Sequence, residues 1–327
     1  MKKIISILLC LILAIGALTL VSCSKDEQKD SDGGAESIKI VTTIFPVYDW
    51  VKNIVGESGN ADITMLIDSG ADLHSFQPTA DDIVRISGAD LFIYIGGESD
   101  KWAQDVVKNS GVKAINLLEA LGDSAKEEEL KEGMQGEEEE EAEKGEEEPE
   151  YDEHIWLSLK NAKTLVGVVS DALCKIDSAN AATYQANAKT YDEKLSALDK
   201  EYETAVSAAT NKTLLFGDRF PFRYLTEDYS LDYYAAFIGC SAETEASFET
   251  VTFLAKKLDE LSLKYVIALE GTDHKLAQTI INNTQSKNAE ILSMNSMQSV
   301  TSKDMDDTIS YLGIMQDNLG VLKTALS

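Results

Sequence analysis

Residues 37–56 read "SIKIVTTIFPVYDWVKNIVG", and the two parts of the stretch follow different periods. From Ile38 to Thr43 every residue but Lys39 is β-branched, which predicts a strand; beyond Pro46 the apolar groups recur at helical spacing. The same unit then repeats outward. "ADITMLID" (61–68) predicts a strand, "TADDIVRISGA" (79–89) a helix with Thr79 as N-cap and Asp82 in its first turn, and "DLFIYIGG" (90–97) a strand closed by glycines. "KWAQDVVKNSG" (101–111) and "KAINLL" (113–118) add one more helix and strand. Strands that are apolar along their length, alternating with helices, predict an α/β fold whose parallel sheet is covered on both faces.

The alternation stops between Leu159 and Ala209, where only amphipathic helix is legible, and resumes at "TLLFGD" (213–218). Four strand and helix pairs follow, ending on the helix "YLGIMQDNLGVLKTAL" (311–326). The expected architecture is therefore two α/β lobes, each a parallel sheet flanked by helices, joined by one long rigid helix. Residues 38–175 form the first lobe, 176–209 the linking helix and 210–327 the second lobe. In open α/β sheets ligands bind outside the carboxyl ends of the strands, so the site belongs in the cleft between the lobes.

The N-terminus, "MKKIISILLCLILAIGALTLVSC", has two lysines, an apolar run and small residues before Cys23, the layout of a secretory signal. "LVSC" resembles the bacterial lipobox, which implies cleavage after residue 22, lipidation of Cys23 and a membrane-anchored protein outside the cytoplasm. Residues 23–37 are polar and glycine-containing and read as a flexible tether. A formal net charge of -28 argues against nucleic acid as a partner, because phosphate binding needs a basic surface. Nearly half of that charge lies in one run, 126–153, expected to be a mobile, solvated acidic loop. Cys174 and Cys240 are left either to pair or to stay buried as thiols.

Four short pieces put coordinating side chains just after strands or at a helix entry: His74 in "SGADLHSFQPTADD", His154 in "DEHIWLSLKNA", Asp218 in "GDRFPFRYL" and Glu270 in "EGTDHKLA". Imidazole and carboxylate converging on a cleft suit a borderline divalent cation. Taken singly, each has a plainer reading: a loop histidine that only hydrogen-bonds, an Asp218–Arg219 ion pair, a Glu270 helix cap. No "HExxH" or comparable base-bearing motif supports a zinc hydrolase.

The stretches "DLHSFQPTADDIVRISGADLFIYIGGESDKW", "DEHIWLSLKNA" and "YLGIMQDNL" resemble the metal-binding lipoproteins of ABC importers, the cluster A-I solute-binding proteins. The resemblance implies a receptor, not an enzyme, that carries Zn2+, or alternatively Mn2+, to a membrane permease and its ATPase. It implies His74 and His154 as ligands and puts Asp218 in the third ligand's place. Asn295 stands where the family has an aspartate, with Glu270 as another oxygen donor. The acidic run occupies the position of the family's metal-attracting loop. Such lipoproteins also act as surface adhesins, which is the alternative function.

Overall fold

The computed structural model describes residues 37–57, 59–136, 150–241, 245–304 and 309–327. The signal segment, the lipobox with Cys23 and most of the tether lie outside these residues. Ser37–Ser327 form one compact unit containing two four-stranded parallel sheets. The first holds β1 (Ile38–Thr42), β2 (Ala61–Met65), β3 (Leu91–Tyr94) and β4 (Ala114–Asn116) in the order β2-β1-β3-β4. The second holds β5 (Thr213–Phe220), β6 (Asp232–Ile238), β7 (Tyr265–Leu269) and β8 (Glu290–Met294) in the order β6-β5-β7-β8. In each sheet the strand order reverses beside the first strand, so each has a crevice at its carboxyl edge.

The helices follow from the same local rules. In the first lobe they are α1 (Phe45–Val55), α2 (Ala80–Ser87), α3 (Lys101–Ser110) and α4 (Leu117–Leu121). Thr79 and Asp82 form a reciprocal capping box at the start of α2, satisfying two amide groups that the first turn leaves without partners. The expected strand at 113–118 is shorter than predicted. Asn116 accepts a hydrogen bond from the Glu119 amide at 3.1 Å and so starts α4 instead.

The long helical region is two helices, α5 (Leu159–Ile176) and α6 (Ala181–Ala208). Asp177 breaks the run, its carboxylate accepting from Asn180 Nδ2 and the Tyr184 hydroxyl, each at 2.7 Å. The helix that leads to the second sheet therefore starts five residues later than expected. It is fastened on both sides: Asn187 donates to the Ile54 carbonyl, Tyr191 to Asp49 and Tyr202 to the Met315 carbonyl. The second lobe is completed by α7 (Arg223–Asp228), α8 (Phe248–Glu260), α9 (Lys275–Asn282) and α10 (Tyr311–Ala325).

One apolar core runs from the first sheet through α5 and α6 into one face of the second sheet. A smaller one, including Leu215, Leu254, Val266 and Ile280, fills the opposite face of the second sheet under α8 and α9. Among the described residues no helix is long and apolar enough to cross a membrane.

The expectation of a mobile loop over 126–153 needs correction at its two ends. Glu127 pairs with Tyr151, the Glu128 amide donates to the Glu150 carbonyl, and the Asp152 amide donates to the Lys126 carbonyl, the last two at 2.8 Å. Further on, Lys131 pairs with Asp232 at 2.9 Å and lies over the Tyr233 ring, while the Gln135 amide donates to the Ala236 carbonyl. Backbone pairing to the edge of β6 thus fastens this acidic segment to the second lobe. The densest part of the run, 137–149, lies outside the described residues.

Candidate metal centre

His74 sits in a single 3-10 turn, Leu73–Ser75, in the loop that follows β2. Asp72 caps that turn by accepting from the His74 amide at 3.0 Å. His154 immediately precedes a second such turn, Ile155–Leu157, and is fully buried. Its ring packs on Trp156, centroids 5.2 Å apart, whose Nε1 donates across to the Ser296 carbonyl. Eighty residues apart in the chain, the two histidines meet with Nε2 atoms 3.2 Å from each other.

Both Nδ1 atoms are already engaged. His154 Nδ1 lies 3.0 Å from Asp152 Oδ1, and His74 Nδ1 lies 2.8 Å from Ser99 Oγ and 3.5 Å from Glu153 Oε2. A carboxylate on Nδ1 fixes the tautomer and turns the lone pair of Nε2 outward, the usual support of a metal-binding histidine. Two lone pairs at this separation repel unless something positive lies between them. Two nitrogens each 2.0–2.1 Å from a tetrahedral zinc stand about 3.3 Å apart, which matches the observed gap.

The electrostatics divide the pair. Burial, and after it the neighbouring His154, hold the His74 pKa down to about 3. Burial also works against charge on His154, yet Asp152, Glu128 and Glu153 outweigh it and raise its pKa above the ordinary value. The carboxylates around His154 thus favour a cation at this spot.

A third side chain that could donate to a metal is Cys240, in the turn after β6. The sulfur and the two imidazole nitrogens all lie within 4.8 Å of one another. Burial, then Glu128, push the Cys240 thiol well up. Neither Cys174 nor Cys240 is in a disulfide, so the pairing alternative does not hold. Residue 239 has to be glycine: a Cβ there would stand 2.9 Å from His154 Cε1 and 2.9 Å from the Phe220 carbonyl oxygen.

The structure brings His74 and His154 together and gives the other three expected residues different surroundings. Asp218 lies within β5, which runs on to Phe220 and whose register with β6 shifts between Phe216 and Arg219, and its carboxylate accepts from the Arg219 and Leu269 amides. Glu270 accepts from the Ser296 amide and hydroxyl, each at 2.8 Å, and from Ser299 Oγ, holding the turn after β8. Asn295 Oδ1 accepts from the Met297 amide at 2.7 Å. Among the described residues the His, Cys and carboxylate donors that cluster are His74, His154 and Cys240. A groove lined by Pro78, Ile83, Trp102 and Val106 includes none of them.

Arg219, read from sequence only as a partner for Asp218, instead joins two ligand-bearing loops. Its Nη2 pairs with Asp72 at 2.7 Å and its Nη1 donates to the Ser241 carbonyl at 3.2 Å. One guanidinium from the second lobe therefore grips the His74 turn and the residue after Cys240.

A family model for the periplasmic component A of zinc-uptake complexes matches residues 40–325. The chain is 30% identical over 329 residues to the zinc-binding protein AdcA of Streptococcus pyogenes serotype M3, an alignment taking in 99% of this chain and 61% of that protein. It therefore spans about three fifths of the length of those streptococcal relatives. It is 31% identical to the high-affinity zinc uptake system protein ZnuA of Bacillus subtilis, over 96% of both. Among solved structures, the Zn(II)-bound ZnuA-like domain of Streptococcus pneumoniae AdcA superposes with a TM-score of 0.69 at 28% identity, covering 89% of this chain and 99% of that one.

Proposed function

The chain belongs to the family of the periplasmic component A of zinc-uptake complexes, and from that premise we propose that it captures a zinc ion outside the cytoplasm and hands it to an ABC importer. It works by binding and release, not by turning over a substrate. His74 Nε2 and His154 Nε2 hold the ion, and Cys23 carries the lipid that keeps the receptor at the membrane. The observation that carries this reading is the pair of Nε2 atoms 3.2 Å apart with both Nδ1 atoms occupied. Its partners are a permease and an ATPase of that importer. Elemental analysis of protein purified without added metal, followed by competition titration, tests it: one tightly held zinc per chain is expected, and a chain without a tight site defeats the proposal.

The Asp72–Arg219 pair should govern release. Asp72→Asn keeps the shape of the cap on the His74 turn but removes the charge that Arg219 grips. The expected result is zinc release about three- to tenfold faster, on the order of 1 kcal/mol for a partly exposed ion pair. Stopped-flow release into a chelator measures it, and an unchanged rate would show that the contact does not hold the loops together.

Residues 137–149 contain nine glutamates and one lysine. Exposed charge of this density raises the local concentration of cations, and it is screened over ~10 Å at 0.1 M salt. Changing the nine glutamates to glutamine should slow zinc capture at low ionic strength and leave it unchanged at high salt. Equal capture rates at low salt would reduce the run to a solvated insertion.

A further inference from the structure

We infer that Cys240 binds the captured ion as a thiolate, making the centre a site of two imidazoles and one sulfur that takes zinc and rejects manganese. The inference rests on the receptor function proposed above and specifies its cargo.

Three independent segments converge to make the cluster: the turn after β2, the entry to the 155–157 turn and the turn after β6. The last is held against the imidazole by the absence of a side chain at Gly239, where a Cβ would meet both His154 Cε1 and Nδ1 at 3.0 Å or less. Packing the backbone onto the ring at residue 239 carries the sulfur of residue 240 to the edge of the histidine pair. Arg219 holds the next carbonyl, that of Ser241, and so fixes the far side of the turn.

The thiol lies beside Glu128, which after burial pushes the thiol up, and Glu128 Oε1 is buried with no hydrogen-bond partner among the described residues. When the ion binds, the S–H proton leaves to solvent and a sulfur–metal bond forms, with no change of oxidation state. The dication and one thiolate leave a single positive charge at a centre whose His154 is fully buried and whose His74 and Cys240 are half-buried. Asp152, Glu128 and Glu153, around the two rings and the sulfur, favour that positive charge.

Thiolate and imidazole suit zinc, whereas manganese is held by carboxylate, carbonyl and water oxygens. Asp218, Glu270 and Asn295, the oxygen donors that would have suited manganese, are engaged elsewhere.

Cobalt(II), a spectroscopic stand-in for zinc, separates the possibilities. The metal-free full chain loaded with cobalt should show intense d–d bands of a tetrahedral site together with a thiolate-to-cobalt charge-transfer band in the near ultraviolet. Cys240→Ser should lose the charge-transfer band, keep d–d bands and bind zinc at least about tenfold more weakly, with the preference for zinc over manganese reduced. Cys174→Ser, at the α5–α6 junction, should change nothing. A charge-transfer band that survives in Cys240→Ser, or an unaltered zinc-to-manganese preference, overturns the thiolate assignment and leaves Cys240 as a thiol beside Glu128. In that case d–d bands that vanish in His154→Ala still support the receptor reading, whereas a wild-type chain with no tight cobalt site sinks both.

Discussion

Replacing His154 by alanine should lower zinc affinity by more than about 100-fold, the largest loss expected from any single substitution in this chain. Removing only an outer partner of a metal ligand commonly costs about 10- to 100-fold, and this change removes the ligand itself. His154 contributes more than its nitrogen: it is the fully buried wall on which Trp156 and Gly239 are packed. The variant therefore loses some stability without metal as well, roughly 1–3 kcal/mol for a buried side chain of this size. The two losses are separable. Metal that binds only the native state stabilises by RT ln(1 + [L]/Kd), so free zinc held at about ten times the wild-type Kd should raise the melting temperature of the wild type and leave that of His154→Ala almost unmoved. Asp152→Asn gives an intermediate case, because Nδ1 keeps a hydrogen-bond partner but loses its charge; a 10- to 100-fold weakening is expected there. Zinc-induced stabilisation of His154→Ala equal to the wild type would remove the histidine pair from the site.

The two sheets were legible because parallel strands buried on both faces must be apolar throughout, as β3 is from Leu91 to Tyr94. The two histidines were legible through the resemblance of their surroundings, "DLHSFQPTADD" and "DEHIWLSL", since a loop histidine taken alone has the plainer role of a hydrogen-bonding group; the structure sets their Nε2 atoms 3.2 Å apart. Cys240 was not singled out, although it lies two residues beyond the end of β6 and meets the same positional rule as His74. Its sequence signal was weighed as a disulfide partner or a buried thiol, and what brings it to the histidine pair, the approach of Gly239 to a ring 85 positions earlier, is a long-range contact with no local signature. Asp218 misled for the opposite reason. A carboxylate at an expected strand end looks available, but β5 continues past it, and two backbone amides claim its oxygens. The ordered root of the acidic run was hidden by its composition. Charge density predicts solvation for an isolated segment, whereas here an open sheet edge at β6 supplies backbone partners, and Lys131 and Glu129 find Asp232 and Arg223.

The seam between α1 and α6 leads to the second large effect, an acid-favoured stability centred on Asp49. This carboxylate lies in the core facing the linking helix, where Oδ2 accepts from the Tyr191 hydroxyl at 3.0 Å and from Asn53 Nδ2 at 3.1 Å. Burial raises its pKa from 3.8 to about 6, against the opposing pull of the Tyr191 hydrogen bond. A pKa raised by folding means that the native state holds the proton more tightly than the unfolded chain. The contribution is thus fully present below pH 3.8 and is lost as pH rises through 6. Two pKa units correspond to ~3 kcal/mol. Asp49→Asn retains a carbonyl oxygen for Tyr191 and cannot ionise, so it should exceed the wild type in stability by about that amount at pH 7.5 and by little near pH 4. Urea unfolding of the metal-free proteins at the two pH values measures the difference between them, which cancels every other titrating group common to both. A difference that stays constant across this range would mean that Asp49 is ionised at no cost in the folded state, and that the Tyr191 contact joins α1 to α6 as an ordinary charge-assisted hydrogen bond.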